Sequence, residues 1–389
     1  MFLVIFGCST LLNTDIEKSP LPIKTWVIFF VFAISNVFSL SGFFTNFSLV
    51  WWLSLVSVPL LLYTLLKSEE TLLSPMFSLF TTLVCILMAM SMLFQWKRDF
   101  QLANYVTYLG IIGWVVYFNK LNLQQYKLEG VAIVLMLFGI ACSYLFLPNQ
   151  ILGGWNSNSS ISSIPIALIG ILILWLSDNK KQKVLSIIGL TILCDFVMLL
   201  QNRSALLACL LIGFFMLYHR FVYRKNWFRC IYIGGLTVNL LLPLINSVLV
   251  KMPGFQKILS ISELLSGKEG VGINGRERLW EMALTIANDS PIFGNGGYRE
   301  IYSHNFSMDV LQEWGWLAYI TYIAIVIALM ELSFKENSKY NLYLLGFVSL
   351  VLMNTFENGL VSNGGFSVLA YMLISLAYCF NWKSDEFNW

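Results

Sequence analysis

The sequence predicts an all-α integral membrane protein with about twelve transmembrane helices and one large extracytoplasmic loop that contains short helices. Of its 389 residues, 58% are hydrophobic and 12% are charged, whereas soluble proteins average about 25% charged residues. The mean hydropathy is +0.73. The apolar residues also form runs close to the roughly 20 residues that cross a bilayer. Because backbone groups in hydrocarbon must bond within their own segment, and because strand-like alternation is absent, we expect these runs to be helices.

Twelve apolar runs are long enough to be predicted as membrane spans. They lie at 26–41, 48–66, 74–94, 101–119, 129–147, 161–176, 184–200, 204–219, 230–250, 309–331, 342–358 and 362–381. The apolar segment 2–12 is shorter, and it is compatible with a thirteenth span, an interfacial helix or the core of a signal peptide. No A-x-A-like cleavage site follows it, which favours a segment that is retained.

The distribution of Lys and Arg predicts the orientation of the chain in the membrane. Placing 14–25, 67–73, 120–128, 177–183, 220–229, 332–341 and 382–389 on one side gathers 15 basic residues there. The short connections on the other side hold three, namely Lys97, Arg98 and Arg203. We therefore expect the first side to be cytoplasmic and the polar segment 251–308 to be extracytoplasmic.

The chain is predicted to have three parts: N-terminal transmembrane helices at 1–250, an extracytoplasmic loop at 251–308, and C-terminal transmembrane helices with a cytoplasmic tail at 309–389. The formal net charge of +3 gives no reason to expect a nucleic-acid partner. The seven cysteines lie in or beside the apolar runs and form no CxxC pair. We therefore predict neither a disulfide framework nor a zinc site.

The loop at 251–308 contains the signals of a short helix followed by a tight turn. Asn274 is a suitable N-cap, and Pro291 should end the helix because the preceding residue avoids the α conformation. The next residues, Pro-Ile-Phe-Gly-Asn-Gly-Gly at 291–297, allow a close backbone approach. His304 and Asn305 then lead into the run that begins Leu-Gln-Glu-Trp-Gly at 311–315.

These motifs, in this order, resemble those of the O-antigen ligase / O-antigen polymerase family. The loop carries R-x-x-x-W at 276–280, P-I-F-G-N-G at 291–296, H-N at 304–305 and L-Q-E-W-G at 311–315. Upstream, residues 199–207 are similar to the family's SRxxLL stretch, although Gln201 and Asn202 replace its usual small residues. The resemblance implies a multi-pass enzyme of the bacterial cytoplasmic (inner) membrane that needs no cofactor, no metal and no nucleotide sugar.

The reaction that the resemblance implies is transfer of a glycan from undecaprenyl diphosphate outside the membrane. The acceptor is another lipid-linked repeat unit in a polymerase, which builds O-antigen, capsule or exopolysaccharide, and it is the lipid A core in a ligase. We prefer the polymerase, and a chain-length regulator is then a candidate partner beside donor, acceptor and membrane lipid. The competing class is a flippase or transporter for lipid-linked oligosaccharides, but its matched mid-membrane charges or helix breaks are not evident.

The resemblance and side-chain chemistry together assign roles to individual residues. We predict His304 as the general base that takes the proton of the attacking hydroxyl, and Arg203 and Arg276 as guanidinium forks for the diphosphate. The predicted substrate-binding residues are Trp280, Gly294, Gly296, Asn305, Glu313, Arg278 and Arg299.

Simpler roles are open for several of these residues. Arg203 would also suit an interfacial arginine that reaches lipid headgroups, and Arg276 a solvated charge on a helix face. Trp280 would also suit plain packing, and the glycines would suit the shaping of a turn. Glu313 is placed either to orient His304 or to meet an arginine, and Asn305 either to fix the imidazole or to hold a sugar hydroxyl.

Overall fold

The protein is mostly helical in the part of the chain that its computed structural model describes. This part comprises residues 19–23, 25–27, 29–30, 33, 89–90, 93, 126–145, 163–199, 203–224, 226–249, 276–297, 299–335, 339–354, 373–374 and 376–377. Eight helices follow one another within these residues. They are α1 (Glu129–Leu145), α2 (Ser163–Leu176), α3 (Lys180–Leu199), α4 (Arg203–Arg224), α5 (Asn226–Leu249), α6 (Arg276–Asp289), α7 (Phe306–Lys335) and α8 (Asn341–Asn354).

Seven of these helices coincide with predicted spans, and α6 lies in the predicted loop. The predicted spans 48–66 and 101–119 and the segment 2–12 lie outside the described residues, as do most of 26–41, 74–94 and 362–381. The helical class is therefore confirmed, and the number of spans stays a prediction. By length and composition, Lys180–Leu199 and Phe306–Glu331 are apolar and long enough to cross a membrane among the residues described.

The core of the bundle is built around α2, which is buried along almost its whole length. Helix α1 approaches it through a glycine on each helix: a Cβ at Gly139 of α1 would lie 2.5 Å from the backbone nitrogen of Ala167, and a Cβ at Gly170 of α2 would overlap Ala132. Small residues at these contacts let helix backbones pack closely where lipid leaves no hydrophobic driving force. Helices α4 and α8 pack on each other and also contact α2.

Helices α4 and α5 extend beyond the predicted spans into the segment between them. The segment 220–229 was expected as a connection between spans, but α4 continues to Arg224 and α5 begins at Asn226. Helix α4 is kinked at Tyr218, whose φ of −114° and ψ of 16° are non-helical. Basic side chains are good helix formers, so a helix can run past its apolar segment into the polar region.

Contacts between distant segments join the ends of these helices. A parallel pair of two-residue strands, β1 (Ser19–Pro20) and β2 (Tyr126–Lys127), links the start of the chain to the residues before α1. Lys339 forms an ion pair of 2.7 Å with Asp178, and Arg229 forms one with Glu331. In each contact, the two joined segments lie at the same end of the helix bundle.

Candidate active site

Helix α6 places its apolar stripe against the beginning of α7. The helix ends at Asp289, just before Pro291, as the sequence predicted. Its buried residues form a small cluster with residues of α7, and Leu244 of α5 packs against that cluster. The buried members are Trp280, Ala283, Ala287, Met308, Leu311 and Tyr319. This cluster fixes α6 on helices α5 and α7.

The backbone of α7 breaks at Gly315, and the glycine turn after α6 docks into the break. Gly315 has φ 82° and ψ −178°, so the regular bonds of the helix cannot form there. The freed carbonyls accept bonds from the turn: Asn295 N donates to Gln312 O at 2.8 Å, and Gly297 N donates to Glu313 O at 2.9 Å. Trp316 N in return donates to Pro291 O at 2.8 Å. The glycine turn and the Trp-Gly pair are separate motifs in the sequence, and in the structure they contact each other through backbone hydrogen bonds.

Only glycine fits at the centre of this contact. Gly294 and Gly315 both have positive φ, at 57° and 82°. A Cβ at Gly294 would lie 2.6 Å from the backbone nitrogen of Gly315, and a Cβ at Gly315 would lie 2.6 Å from the carbonyl oxygen of Ile292. The ring of Trp314 covers Gly297, where a Cβ would approach the ring to 2.6 Å. Gly294 and Gly297 therefore shape the site, and their positions permit the close packing of the loop on α7.

Gly315→Ala is expected to destabilise the loop on α7. The backbone conformation at this residue is nearly exclusive to glycine and costs about 1–3 kcal/mol for other residues, and the overlap with Ile292 O adds to that cost. The measurement is the thermal unfolding midpoint of the purified protein in detergent. The matched control is Gly234→Ala in α5, where a Cβ meets nothing within 4 Å. Equal midpoints for the two variants would contradict the docking that we describe.

Side chains of α6 and α7 hold the segment that carries the predicted base. The amide of Gln312 pairs with the backbone of Ile301, accepting from its nitrogen at 3.1 Å and donating to its oxygen at 2.7 Å. Trp280 donates its indole N–H to Ser303 O at 3.1 Å, and Ser303 Oγ donates to Asp309 Oδ1 at 2.7 Å. Trp280 is 1% exposed, so its geometry favours the packing role over stacking on a sugar.

His304 lies at the end of this segment in a left-handed backbone conformation, with φ 53°. The next residue, Asn305, is the N-cap of α7: its Oδ1 accepts from Met308 N at 3.1 Å and from Ser307 Oγ at 2.5 Å. Asn305 is 1% exposed, which favours a structural role over contact with a sugar hydroxyl. His304 is partly exposed as a residue, and its imidazole packs edge-to-face on Tyr302, with ring centroids 4.6 Å apart.

Arg299 joins two carboxylates of α7. Its Nε donates to Glu313 Oε1 at 2.8 Å, its Nη2 lies 2.6 Å from the same oxygen, and its Nη1 lies 3.3 Å from Asp309 Oδ2. Of the two roles considered for Glu313, the structure therefore shows a contact with an arginine. The guanidinium carbon also lies 5.8 Å from the centroid of the Tyr302 ring. A continuous set of contacts runs from the carboxylates through Arg299 and Tyr302 to His304.

The other predicted arginines occupy helix starts or a surface. Arg203 is the first residue of α4, and Arg276 is the partly buried first residue of α6. Arg278 is exposed on α6. Among the residues that the structure describes, no group of three or more His, Cys, Asp or Glu is placed to hold a metal ion.

The sequence interpretation missed four residues that hold the site: Tyr302, Ser303, Asp309 and Gln312. A signal was available for two of them. Asp309, Gln312 and Glu313 are spaced by three and four residues, which puts them on one face of a helix inside an otherwise apolar run. A polar face in such a run indicates buried partners. Tyr302 and Ser303 carry no comparable pattern.

The fold and the site define a protein of apolar helices in which one polar segment, docked on the start of a long helix, presents a histidine. Residues 188–323 match the family model described as O-antigen ligase. The match runs from α3 into α7 and includes Arg203, Arg276, His304 and Gly315. It confirms the resemblance to the O-antigen ligase / O-antigen polymerase family, a membrane-bound family of glycosyltransferase type that acts on lipid-linked glycans. No curated protein is significantly similar to the chain.

Proposed function

We propose that this protein polymerises undecaprenyl-diphosphate-linked repeat units into a surface polysaccharide on the outer side of the bacterial cytoplasmic membrane. The observation that carries the proposal is the presentation of His304. It is partly exposed, at the end of a segment that Gln312, Trp280 and Asp309 hold by hydrogen bonds. A preorganised imidazole is suited to act as a general base, because a base must lie within hydrogen-bond reach of the proton that it takes.

The proposed reaction forms one glycosidic bond and releases one diphosphate. A hydroxyl of the acceptor glycan attacks the anomeric carbon of the donor, its proton passes to the imidazole of His304, and the bond to undecaprenyl diphosphate breaks. The protein residues supply the base and the positive charge, and the proposal needs neither a metal nor a cofactor. The donor's lipid remains in the bilayer while its diphosphate reaches the site.

Arg203 and Arg276 are proposed to bind this diphosphate. Each is the first residue of a helix, α4 and α6 respectively. The N-terminal end of a helix carries partial positive charge and unpaired N–H groups, so it attracts anions and disfavours cations. An arginine at this position adds its charge to that of the helix end, and a diphosphate would relieve the unfavourable interaction between them.

The proposed orientation places the loop at 251–308 outside and the tail inside. It is supported by the contacts at the helix ends. The β1–β2 pair, the Lys339–Asp178 ion pair and the Arg229–Glu331 ion pair join segments at or beside those that the basic residues assign to the cytoplasm. The division into 1–250, 251–308 and 309–389 follows from the same orientation. A chain-length regulator is proposed as a partner on general grounds of polymer control.

Deleting the gene is expected to leave single repeat units on undecaprenyl diphosphate, exposed outside the membrane. The measurement is mass spectrometry of extracted lipid-linked glycans, with the intact gene restored as the control. Accumulation of full-length unligated chains would instead identify an O-antigen ligase acting on the lipid A core. Single units confined to the cytoplasmic leaflet would identify a flippase and contradict the proposed transferase.

A further inference from the structure

The ion pairs of Arg299 bear on its role at the site. Asp309 and Glu313 have side chains that are 0% and 1% exposed, and that of Arg299 is 16% exposed. The cluster of these three side chains has one positive charge, on the guanidinium, and up to two negative charges, on the carboxylates. Its net charge is zero when one carboxylate is ionised and negative when both are ionised. Such a cluster does not attract a diphosphate. Arg299 and Glu313 are therefore better explained by a role other than the substrate binding that the sequence suggested.

The guanidinium of Arg299 also lies over an aromatic ring. Its guanidinium carbon lies 5.8 Å from the centroid of Tyr302, within the range of a cation–π contact. The Tyr302 ring in turn meets the imidazole of His304 at 4.6 Å with an interplanar angle of 88°. An edge-to-face pair at this distance restricts the rotation of both rings. Arg299 and His304 thus contact the same aromatic ring.

The backbone beside these rings is held by the hydrogen bonds of Ser303. Ser303 Oγ contacts the same carboxylate that holds Arg299, through Asp309 Oδ1 at 2.7 Å, and it accepts from Asn305 N at 3.1 Å. Asp309 therefore touches both the chain just before His304 and the arginine that supports the Tyr302 ring. One buried carboxylate couples the backbone and the side-chain supports of His304.

We propose that Asp309 and Glu313 act through Arg299 and Tyr302 to orient the imidazole of His304, so that Arg299 and Tyr302 are positioning residues rather than ligands of the diphosphate. This inference rests on the proposed function, in which His304 is the base. It predicts that disturbing Tyr302 or Arg299 slows the chemical step and leaves the affinity for the donor unchanged. A near-attack geometry is sensitive to displacements of about 1 Å, which cost up to about a hundredfold in rate.

The first test is steady-state kinetics of the purified protein with its lipid-linked donor. Tyr302→Leu and Arg299→Met should lower kcat by about ten- to a hundredfold without raising the donor KM. Tyr302→Phe keeps the ring and should recover most of the kcat that Tyr302→Leu loses. If the donor KM rises in Arg299→Met while kcat is kept, Arg299 binds the diphosphate and the inference is wrong. Unchanged kinetics in both Tyr302→Leu and Arg299→Met would also overturn it.

A second measurement does not depend on activity. In a His219→Gln background, His304 is the one remaining histidine of the sequence, and its modification by diethyl pyrocarbonate can be followed by mass spectrometry. Tyr302→Leu should raise the modification rate because the ring no longer covers the imidazole, and Tyr302→Phe should not. An equal rate in the wild type and in Tyr302→Leu would contradict the positioning role. A raised rate together with full activity of His304→Ala would instead retain the positioning and reject the base.

Discussion

Replacing His304 with Ala is expected to lower the rate of glycan transfer by about 10² to 10⁴, the usual contribution of a positioned general base. This corresponds to roughly 3 to 5 kcal/mol of activation free energy. The attacking hydroxyl must lose its proton as the new bond forms, and the variant has no group there to accept it. Cells should make no polymer, although the protein remains in the membrane at normal abundance. Turnover of lipid-linked donor by purified protein gives the rate directly.

Two further variants separate the side chain from its backbone. His304 has φ 53°, a conformation that Asn adopts more readily than most residues, so His304→Asn removes the imidazole with little added strain. His219→Ala removes the other histidine of the sequence and should retain full turnover. Donor binding should survive in His304→Ala and His304→Asn, because the arginines are assigned to the diphosphate. Wild-type turnover by both would refute the base, and loss of donor binding would reassign His304 to substrate positioning.

Arg203→Lys and Arg276→Lys are each expected to reduce transfer by about ten- to a hundredfold. Lysine keeps the charge but loses the planar fork that binds two phosphate oxygens at once. A charge-assisted hydrogen bond of this kind contributes about 1.5–3 kcal/mol, and each 1.36 kcal/mol is tenfold in rate. The loss should appear in donor binding as well as in turnover. Both are measurable with the purified protein and its lipid-linked donor.

Arg229→Lys is the matched control for these two variants. Arg229 is paired with Glu331 at the opposite, predicted cytoplasmic end of the helices, and lysine can preserve that ion pair. Its transfer rate should equal that of the wild type. Full activity of Lys at both 203 and 276 would show that the guanidiniums do not bind phosphate as proposed.

Features set by local sequence were predicted well. Helix α6 ends at Asp289 because Pro291 follows, and the seven predicted spans between 129 and 358 coincide with described helices. Both follow from backbone geometry and hydropathy within a few neighbouring residues. Helix α7 extends beyond the predicted span 309–331 at its N-terminal end, where Asn305 is the N-cap and its Oδ1 accepts from Met308 N.

The contacts within the site were not predictable in the same way. Gly315 lies in an apolar run, where a glycine is usually tolerated within a regular helix. The break of α7 at this residue depends on the turn that docks there. Arg299 has several acidic residues within reach along the chain, and only the folded structure selects Asp309 and Glu313. The burial of Trp280 likewise depends on the packing of α6 against α7. These choices are made by tertiary structure, which short motifs do not encode.

The backbone exchange at Gly315 also restricts how the gene can change. The docking bonds join main-chain atoms. They therefore depend on the number of residues between Gly297 and Gln312 and not on the identity of most of these residues. An insertion or deletion in this interval would shift the paired carbonyls and amides out of register, whereas a substitution at an exposed position such as Glu300 would leave them in place. Among homologous genes, this stretch should therefore keep a constant length and vary in composition only outside the residues that hold and position His304.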